Sequence, residues 1–492
     1  MRHTKLALAT MAVAVLAACG GTSPSPGNQT PKIHYTAQVT FGDSLSDVGS
    51  YAVGTVAALG GGKFTINGNN TAVNPTLTGK NYTELLAAQL GVAPPCAAQT
   101  GLQGQASLGF LVPVVNHTGC FGYAQGGSRV TNPIGAGNAN AVSLSATNTV
   151  VKSPLGALTV PLVTQVANHL AAVGGKFSGT EMVIVMAGGN DALEQLNELA
   201  VAAAQAGNTA GQAAGAAAGA TAGAQAFGAS LVAQLAAGAT NPQTAAQAIG
   251  LALATAAATP GATTTDEVNA AIFTAANQPG DSAVASPAVY GPMVAKATAD
   301  GQAAGAAAGA SAGAAAGLAA ANAYAAANGP ALVANMAAAG QQLVALVKGQ
   351  ILANGANYVT VNNLPDVATT PSARAQPAST QALIAAMVTA FNGALSTGFA
   401  GENRVLLVDV FSVSHDQATN PAPYGLTNVT TPACDLTPAK NPLQSSLVCN
   451  ANNLIAGDIS HYSFADTVQP TPFNNLLLAR YVAEQMVIKG WL

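Results

Sequence analysis

The sequence has few charged side chains and few aromatic ones. Only 7% of its 492 residues are charged, against about 25% in an ordinary soluble protein. Fifteen Lys and Arg residues against 19 Asp and Glu give a formal net charge of -4, which provides no basic surface for nucleic-acid phosphates. Half of the residues are hydrophobic. Only 5% are aromatic, because most of the hydrophobic residues in excess are alanine. The composition argues against nucleic-acid binding and predicts a surface that is largely neutral and polar.

The first 18 residues are typical of an export signal. Arg2 and Lys5 precede an apolar run at 6–18, which is followed by Cys19 and a Ser/Pro/Gly-rich stretch. A run of 13 residues is shorter than the roughly 20 that a transmembrane helix needs, so an uncleaved membrane anchor is the weaker alternative. The string LAAC at 16–19 resembles the bacterial lipobox, whose cysteine becomes the lipidated first residue.

This resemblance implies a lipoprotein signal peptide at 1–18, lipidation of Cys19 and a flexible tether at 19–35. The protein is then exported and anchored to the membrane of the cell envelope by lipid. Gly20 after the cysteine is similar to the pattern that directs many bacterial lipoproteins to the outer membrane, on its periplasmic or surface side.

The other four cysteines form two pairs that are close in sequence, Cys96 with Cys120 and Cys434 with Cys449. An even number of cysteines in an exported chain predicts disulfides. The alternative is four unpaired buried thiols. No CxxC or CxxH spacing indicates a zinc site, and we expect neither a metal nor a cofactor.

Four short apolar runs, each followed by polar residues, predict strands. They cover 37–41, 182–186, 358–361 and 405–411, and helix-like segments separate them. Such runs are typical of a parallel sheet covered on both faces, as in doubly wound α/β folds. Ligands of these folds bind beyond the carboxyl ends of the strands, where the polar clusters lie.

Residues 199–336 are dominated by alanine and glycine and are predicted to be an insertion. The ten residues 211–220 recur unchanged at 301–310, with glycines four positions apart. Glycines at this spacing share one face of a helix, which predicts a tightly packed helix pair. A disordered linker and a membrane-spanning helix pair are the alternatives, since GxxxG also occurs in membranes.

Ser44 lies in the string FGDSLSD at 41–47, directly after the first predicted strand. A serine at a strand-to-helix turn is exposed at the sheet edge, where the helix N-terminus stabilises negative charge. We therefore expect a helix-like continuation toward Leu59. A Gly-Asp-Ser-Leu string by itself can also be an ordinary helix N-cap.

The string at 41–47 resembles the first sequence block of the GDSL (SGNH) family of serine esterases, and further blocks follow in order. GYAQGG at 122–127 is similar to the second block, with Gly122 where the family usually has asparagine, and GGND at 188–191 is similar to the third. The resemblance implies that Ser44 is the nucleophile and that Gly127 and Asn190 donate to the oxyanion. NLPD at 363–366 resembles a structural loop that precedes the last block.

The last block differs from the family pattern at its most important position. The family has Phe-x-Asp-x-x-His-Pro-Thr, and this chain has FADTVQPT at 464–471, so Gln469 occupies the place of the catalytic histidine. Asp466 keeps the place of the aspartate that orients this histidine, although it could also be a helix N-cap. Glutamine cannot accept and return a proton near neutral pH. His461 and His415 are the alternative bases.

The resemblance covers residues 36–198 and 337–492 and implies a three-layer α/β/α fold, a doubly wound, flavodoxin-like parallel sheet of the SGNH-hydrolase type with the Ala/Gly-rich helical insertion. It implies a carboxylic-ester hydrolase acting on a lipid, a short-chain ester or an acetylated glycan. The alternative is a catalytically impaired pseudo-enzyme that binds ligands or partners at the cell surface, because of Gln469.

Overall fold

The computed structural model describes residues 33–68, 79–145, 147 and 149–492. The predicted signal peptide, Cys19 and most of the predicted tether lie outside these residues. Eight strands are described: β1 (Gln38–Gly42), β2 (Gln99–Gln103), β3 (Leu111–Asn116), β4 (Val142–Leu144), β5 (Val150–Lys152), β6 (Met182–Met186), β7 (Tyr358–Asn362) and β8 (Val405–Val408).

Eleven α-helices accompany these strands in the described part of the chain. They are α1 (Gly54–Ala58), α2 (Tyr82–Leu90), α3 (Leu162–Ala172), α4 (Gly189–Ala236), α5 (Pro242–Ala257), α6 (Thr264–Ala276), α7 (Pro287–Leu346), α8 (Pro371–Arg374), α9 (Ala378–Phe399), α10 (Val410–Thr419) and α11 (Pro472–Lys489). A π-helical segment, Val347–Leu352, continues α7.

The central sheet consists of four parallel strands in the order β1-β6-β7-β8. Their register places the last residues of the strands side by side, with Gly42 opposite Met186, Met186 opposite Asn362 and Asn362 opposite Val408. The loops that follow the four strands therefore leave from one edge of the sheet. The predicted α/β fold with a central parallel sheet is confirmed.

Both faces of this sheet are covered by helices, because successive side chains of a strand point to opposite faces. Phe41 and Val185 belong to a core cluster with residues of α3, α7 and α9. Ile184, the residue before Val185 on β6, belongs to a second cluster with residues of α2 and α11. The two smaller sheets, β2 with β3 and β4 with β5, are antiparallel hairpins.

The fourth predicted strand is shorter than the sequence indicated. The apolar run at 405–411 predicted one strand, but β8 ends at Val408 and α10 begins at Val410. Asp409 between them accepts a hydrogen bond from the backbone N–H of Ser412 at 3.2 Å and so caps the helix. A local N-cap outweighs the β-propensity of the apolar residues here.

Both predicted disulfides are present. Cys96 is bonded to Cys120 across the β2–β3 hairpin, and Cys434 is bonded to Cys449 in the segment before α11. Their sequence separations of 24 and 15 residues correspond to about 3 kcal/mol each of stabilisation through restriction of the unfolded chain.

The Ala/Gly-rich region forms an antiparallel helix pair, which we call the stalk (residues 207–223 of α4 and 301–317 of α7). Glycines of one helix face glycines of the other along its length, from Gly207 with Gly317 to Gly223 with Gly301. A Cβ on Gly211 would lie 2.8 Å from the carbonyl oxygen of Gly313, which is too close for any side chain. The glycine spacing predicted a tightly packed helix pair, and these contacts have that geometry.

Beyond the stalk, α5 and α6 pack against the adjoining ends of α4 and α7. We call this unit the head. It has its own buried cluster, which includes Leu231, Ile249, Ala271 and Val284. At the other end of α7, Met336 and Leu343 belong to the core of the sheet domain. A continuous helix therefore connects the head to the sheet.

Two described helices are long and apolar enough to cross a membrane by length and composition, Pro287–Leu352 and Ala378–Phe399. Each contributes residues to the core beneath the sheet, among them Met336 from the first and Phe391 from the second. Core helices of soluble domains pass the same test, so these two helices carry no argument for membrane insertion.

His169 of α3 is buried in a box of aromatic rings formed by Phe41, Phe121, Tyr123 and Phe177, whose centroids lie 4.7–5.7 Å from its own. It is 1% exposed, and neither ring nitrogen has a hydrogen-bond partner among the described residues. Because burial penalises the charged form, the pKa of His169 is lowered to about 4. The ring is therefore neutral in the folded protein at physiological pH.

We expect this histidine to make the fold sensitive to acid. Its stabilising contribution is complete above the unfolded pKa of about 6.5 and is lost as pH falls toward the folded pKa of about 4. At 1.36 kcal/mol per pH unit, the loss is at most about 3 kcal/mol. Urea unfolding at neutral and acidic pH should show a smaller acid loss for His169→Phe than for the wild type. His117→Phe, at an exposed histidine, is the control and should lose as much stability in acid as the wild type. If His169→Phe also loses as much as the wild type, the assignment of the acid sensitivity to His169 is contradicted.

Candidate active site

Ser44 lies two residues after β1, in a turn closed by a hydrogen bond of 3.1 Å from Ser46 N to Asp43 O, and is 8% exposed. The prediction of a helix directly after Ser44 is wrong, because the first helix after β1 starts at Gly54. The Asp43 carboxylate accepts from Leu45 N at 3.1 Å and closes a local turn at Ser44. The expected stabilisation by a helix N-terminus therefore does not apply to Ser44.

Asp47 holds the first sequence block against the second. Its carboxylate accepts from Gly49 N and Ser50 N, both at 2.8 Å, and from Gly126 N at 2.9 Å. The Tyr51 hydroxyl donates to the carbonyl of Gly126 at 2.7 Å. Burial raises the pKa of Asp47, and the three N–H donors oppose this rise by stabilising the charged form. The loop before Gly127 is thereby fixed to the loop that carries Ser44.

Asp43 is a third buried carboxyl group at this edge, beside Asp47 and Asp191. Burial raises its pKa to about 7, and the two neighbouring carboxylates add to the rise. Leu45 N, its hydrogen-bond donor, acts in the opposite direction. Asp43 is therefore partly protonated at neutral pH. Its contact with Leu45 N gives it a structural role in the turn of Ser44.

Gln469 contacts Ser44 directly. Its side-chain Nε2 donates to Ser44 Oγ at 2.9 Å, across 425 positions of sequence. The other end of the amide, Oε1, is buried and has no hydrogen-bond partner among the described residues. The structure thus brings the residue in the position of the family histidine onto the predicted nucleophile. An amide donor leaves the serine hydroxyl without a proton acceptor.

Asp466 shapes the loop of Gln469 through backbone contacts. One carboxylate oxygen accepts from Val468 N at 2.9 Å and Gln469 N at 2.7 Å, and the other accepts from Ser446 N at 2.7 Å. The side chain of Gln469 is not among these partners. Asp466 is also not the N-cap of α11, a role that Thr471 fills. It positions the loop and does not orient the group on Ser44.

Gly127 occupies a backbone position that only glycine fits. Its φ is +83°, and a Cβ would lie 2.1 Å from the carbonyl oxygen of Ala136. This left-handed conformation is costly for residues with a side chain. The conformation of the predicted oxyanion loop is therefore fixed by the sequence itself.

Asn190 is the second residue of α4 and reaches the same loop. Its side-chain Nδ2 donates to the carbonyl of Ser128 at 3.0 Å, next to Gly127. Asp191 adds a second contact by accepting from Val130 N at 3.0 Å and from buried Arg129 at 3.5 Å. The predicted oxyanion residues thus belong to two segments held together by the start of α4. One N–H of the Asn190 amide has no protein partner among the described residues.

Gln165 is a residue of this site that sequence reasoning missed. Buried on α3, it brackets the peptide group of Gly42: Oε1 accepts from Gly42 N and Nε2 donates to Gly42 O, both at 2.9 Å. The same Nε2 lies 3.2 Å from Ser128 Oγ and 2.8 Å from the carbonyl of Val160. One side chain thus connects the turn of Ser44 to the loop of Gly127. No motif marks it, because its role depends on where α3 packs.

Replacing Gln165 by leucine should slow the chemistry at Ser44 about 10- to 100-fold through misplacement of the two loops. The expected loss is in kcat, with little change in KM, because no substrate contact is removed. Ester turnover in the Gln469→His background, where the predicted rate is highest, measures it. Gln195→Leu is the matched control, since Gln195 is also buried and, within the described residues, its side chain bonds Asp191 O and Met336 but neither loop of the site. Equal slowing by both variants contradicts a positioning role for Gln165.

An apolar cavity of about 90 Å³ lies beside the Ser44 and Gln469 loops. Leu45, the residue after Ser44, and Val468, the residue before Gln469, both line it, together with Met186 at the end of β6. Further lining residues come from the loop after β7, from α10 and from α11, including Val410 and Leu478. The cavity offers space for an apolar group next to the nucleophile.

The alternative histidine bases contact other residues. His415 Nδ1 lies 2.7 Å from the carboxylate of buried Asp366, and its ring stacks on Phe411. His461 Nδ1 lies 2.9 Å from Ser460 Oγ, its neighbour in sequence. Neither is hydrogen-bonded to Ser44 in the described part of the chain. Asp366 also lines the apolar cavity.

No group of three or more His, Cys, Asp or Glu side chains suited to holding a metal ion occurs within residues 33–68, 79–145, 147 and 149–492. The polar side chains of the candidate site are instead a serine, amides and carboxyl groups. Their arrangement is suited to binding and attacking a carbonyl group.

Comparison with models of protein families finds no match to this chain, and comparison with curated proteins finds none either.

Proposed function

We propose that this protein cleaves carboxylic esters by transferring the acyl group to Ser44, as a hydrolase of the SGNH type. The observation that carries the proposal is the hydrogen bond of 2.9 Å between Gln469 Nε2 and Ser44 Oγ. It joins the first and last sequence blocks at one point. Two blocks so far apart in sequence are expected to meet in this way when they form one site.

In the proposed reaction, Ser44 Oγ attacks the ester carbonyl and the alcohol leaves. The developing oxyanion is stabilised by the backbone N–H of Gly127 and the free N–H of the Asn190 amide, while Ser44 becomes acylated. Gln469 holds the serine hydroxyl in place but takes no proton. The serine proton passes to solvent, so the reaction is slow at neutral pH and accelerates with hydroxide concentration.

The apolar cavity supports an acyl group as the part of the substrate that lies beside Ser44. Leu45 and Val468 place its wall next to the nucleophile and to Gln469. Burial of each methylene contributes about 0.8 kcal/mol, so an ester with a short aliphatic acyl chain is the preferred substrate class over an acetylated glycan.

We further propose that the protein is exported and anchored to the outer membrane through a lipid on Cys19. The two disulfides support an oxidising compartment outside the cytoplasm. The stretch at 19–35 then tethers the α/β domain to the membrane.

A second candidate function is binding of an ester or acyl ligand without turnover. It is favoured by one observation, that the group on Ser44 Oγ is an amide donor rather than an imidazole. In this case the oxyanion donors and the apolar cavity hold a carbonyl ligand that Ser44 does not attack.

Release of p-nitrophenol from p-nitrophenyl butyrate by the full-length protein and by Ser44→Ala discriminates between these candidates. Ester cleavage predicts a wild-type rate above that of Ser44→Ala, rising with pH. Asn190→Ala should lower it about 10²-fold, because an oxyanion donor is lost. Identical rates for wild type and Ser44→Ala favour the binding function instead.

A further inference from the structure

The Ser44 site contains what is needed to accept an acyl group but lacks what is needed to release it to water. Among the described residues, Gln469 Nε2 is the hydrogen-bond partner of Ser44 Oγ. Both carboxylate oxygens of Asp466 are occupied by backbone N–H groups. His415 and His461 are engaged elsewhere. The carboxyl group of Asp43 accepts from Leu45 N and is not hydrogen-bonded to Ser44 Oγ in the described part of the chain. No side chain that contacts Ser44 Oγ is therefore arranged to accept its proton.

This lack affects the two halves of the reaction differently. In acylation, an activated ester whose leaving group is a stable anion needs no protonation of that group. The bond from Ser44 Oγ to the carbonyl carbon forms, the bond to the leaving oxygen breaks, and hydroxide takes the serine proton. In deacylation, the bond to Ser44 Oγ must break, and a serine alkoxide is a poor leaving group unless the oxygen gains a proton as it leaves. Water, with a pKa of about 15.7, attacks and delivers that proton slowly when no side chain relays it.

We propose that Ser44 is a single-turnover acyl acceptor, which keeps its acyl group in water and releases it to nitrogen nucleophiles that are unprotonated at neutral pH. Such an amine needs no base before it attacks. The bond from nitrogen to the carbonyl carbon forms, the bond to Ser44 Oγ breaks, and the nitrogen's proton returns to the serine oxygen. The product is an amide, so the activity is acyl transfer. This inference rests on the proposed ester cleavage at Ser44.

Intact-protein mass spectrometry of the full chain after mixing with p-nitrophenyl butyrate tests the proposal. The wild type should release one equivalent of p-nitrophenol per protein, gain the mass of one butyryl group and keep it. Hydroxylamine should then remove the group as butyrohydroxamic acid. Ser44→Ala should gain no mass.

Gln469→His is the contrasting variant, since it restores a base for water. Its acyl group should be lost about 10³-fold faster than that of the wild type or more. A wild type that loses its acyl group as fast as Gln469→His, or that releases p-nitrophenol continuously without gaining mass, overturns this inference while leaving ester cleavage intact. Absence of both release and adduct in all variants, including Gln469→His, overturns the proposed function as well.

Discussion

Replacing Gln469 by histidine should increase kcat/KM for a short-chain aryl ester by about 10³-fold or more. The side chain at this position already lies 2.9 Å from Ser44 Oγ, so an imidazole there is within reach of the serine proton. Loss of a triad base in other serine hydrolases costs roughly 10⁴- to 10⁶-fold, which sets the scale of the expected gain. The Asp466 carboxylate holds the backbone N–H of residue 469, so the substitution should leave the loop geometry unchanged.

The pH dependence of the rate of p-nitrophenol release identifies the cause of this gain. The imidazole accepts a proton only when neutral, so the activity of Gln469→His should rise through a pKa near the ordinary histidine value of about 6.5 and then level off. The wild type should show no such inflection and should rise with hydroxide concentration. Gln469→His combined with Ser44→Ala is the control and should be inactive. A histidine variant with the wild-type profile contradicts the proposed position of the base.

Placing leucine at both Gly215 and Gly309 should separate the helices of the stalk and destabilise it by up to about 4 kcal/mol. A Cβ on Gly215 would lie 2.9 Å from Gly309 O, and one on Gly309 would lie 2.8 Å from Gly215 O. Overpacking of this kind costs about 1–3 kcal/mol per site, which exceeds the roughly 1 kcal/mol of helix propensity that each leucine adds.

Hydrogen exchange of the stalk amides measures this loss directly, because local opening lowers protection only where the helices separate. Ala217→Leu with Ala307→Leu is the matched control, since these residues lie on the same helices with exposed side chains. The glycine variant should lose protection in α4 and α7 while the sheet domain retains it. Equal protection in the two double variants contradicts close packing of the stalk through its glycines.

The sequence predicted the parts of the site that depend on local patterns. The apolar runs that end at Gly42 and Met186 form adjacent parallel strands, and the polar residues after them lie at one edge of the sheet. Gln469 was placed at Ser44 because the order and spacing of the blocks fix the register of the last one.

Other features could not be read from the sequence, because side-chain capping or distant packing decides them. The Asp409 carboxylate caps α10 and so shortens β8, and the Asp43 carboxylate closes a local turn at Ser44. Gln165 acquires its role only when α3 packs beside β1. Asp366 and His415 are 49 positions apart and meet because α10 begins directly after the neighbouring strand.

The most direct test of the account is identification of the residue that a fluorophosphonate probe modifies in Gln469→His and in the wild type. Peptide mass spectrometry should locate the phosphonyl group on Ser44, with fast labelling in Gln469→His, slow labelling in the wild type and none at this position after Ser44→Ala. Labelling of another residue, or absence of labelling at Ser44 in Gln469→His, would contradict the assignment of Ser44 as the nucleophile of an acyl-transfer site.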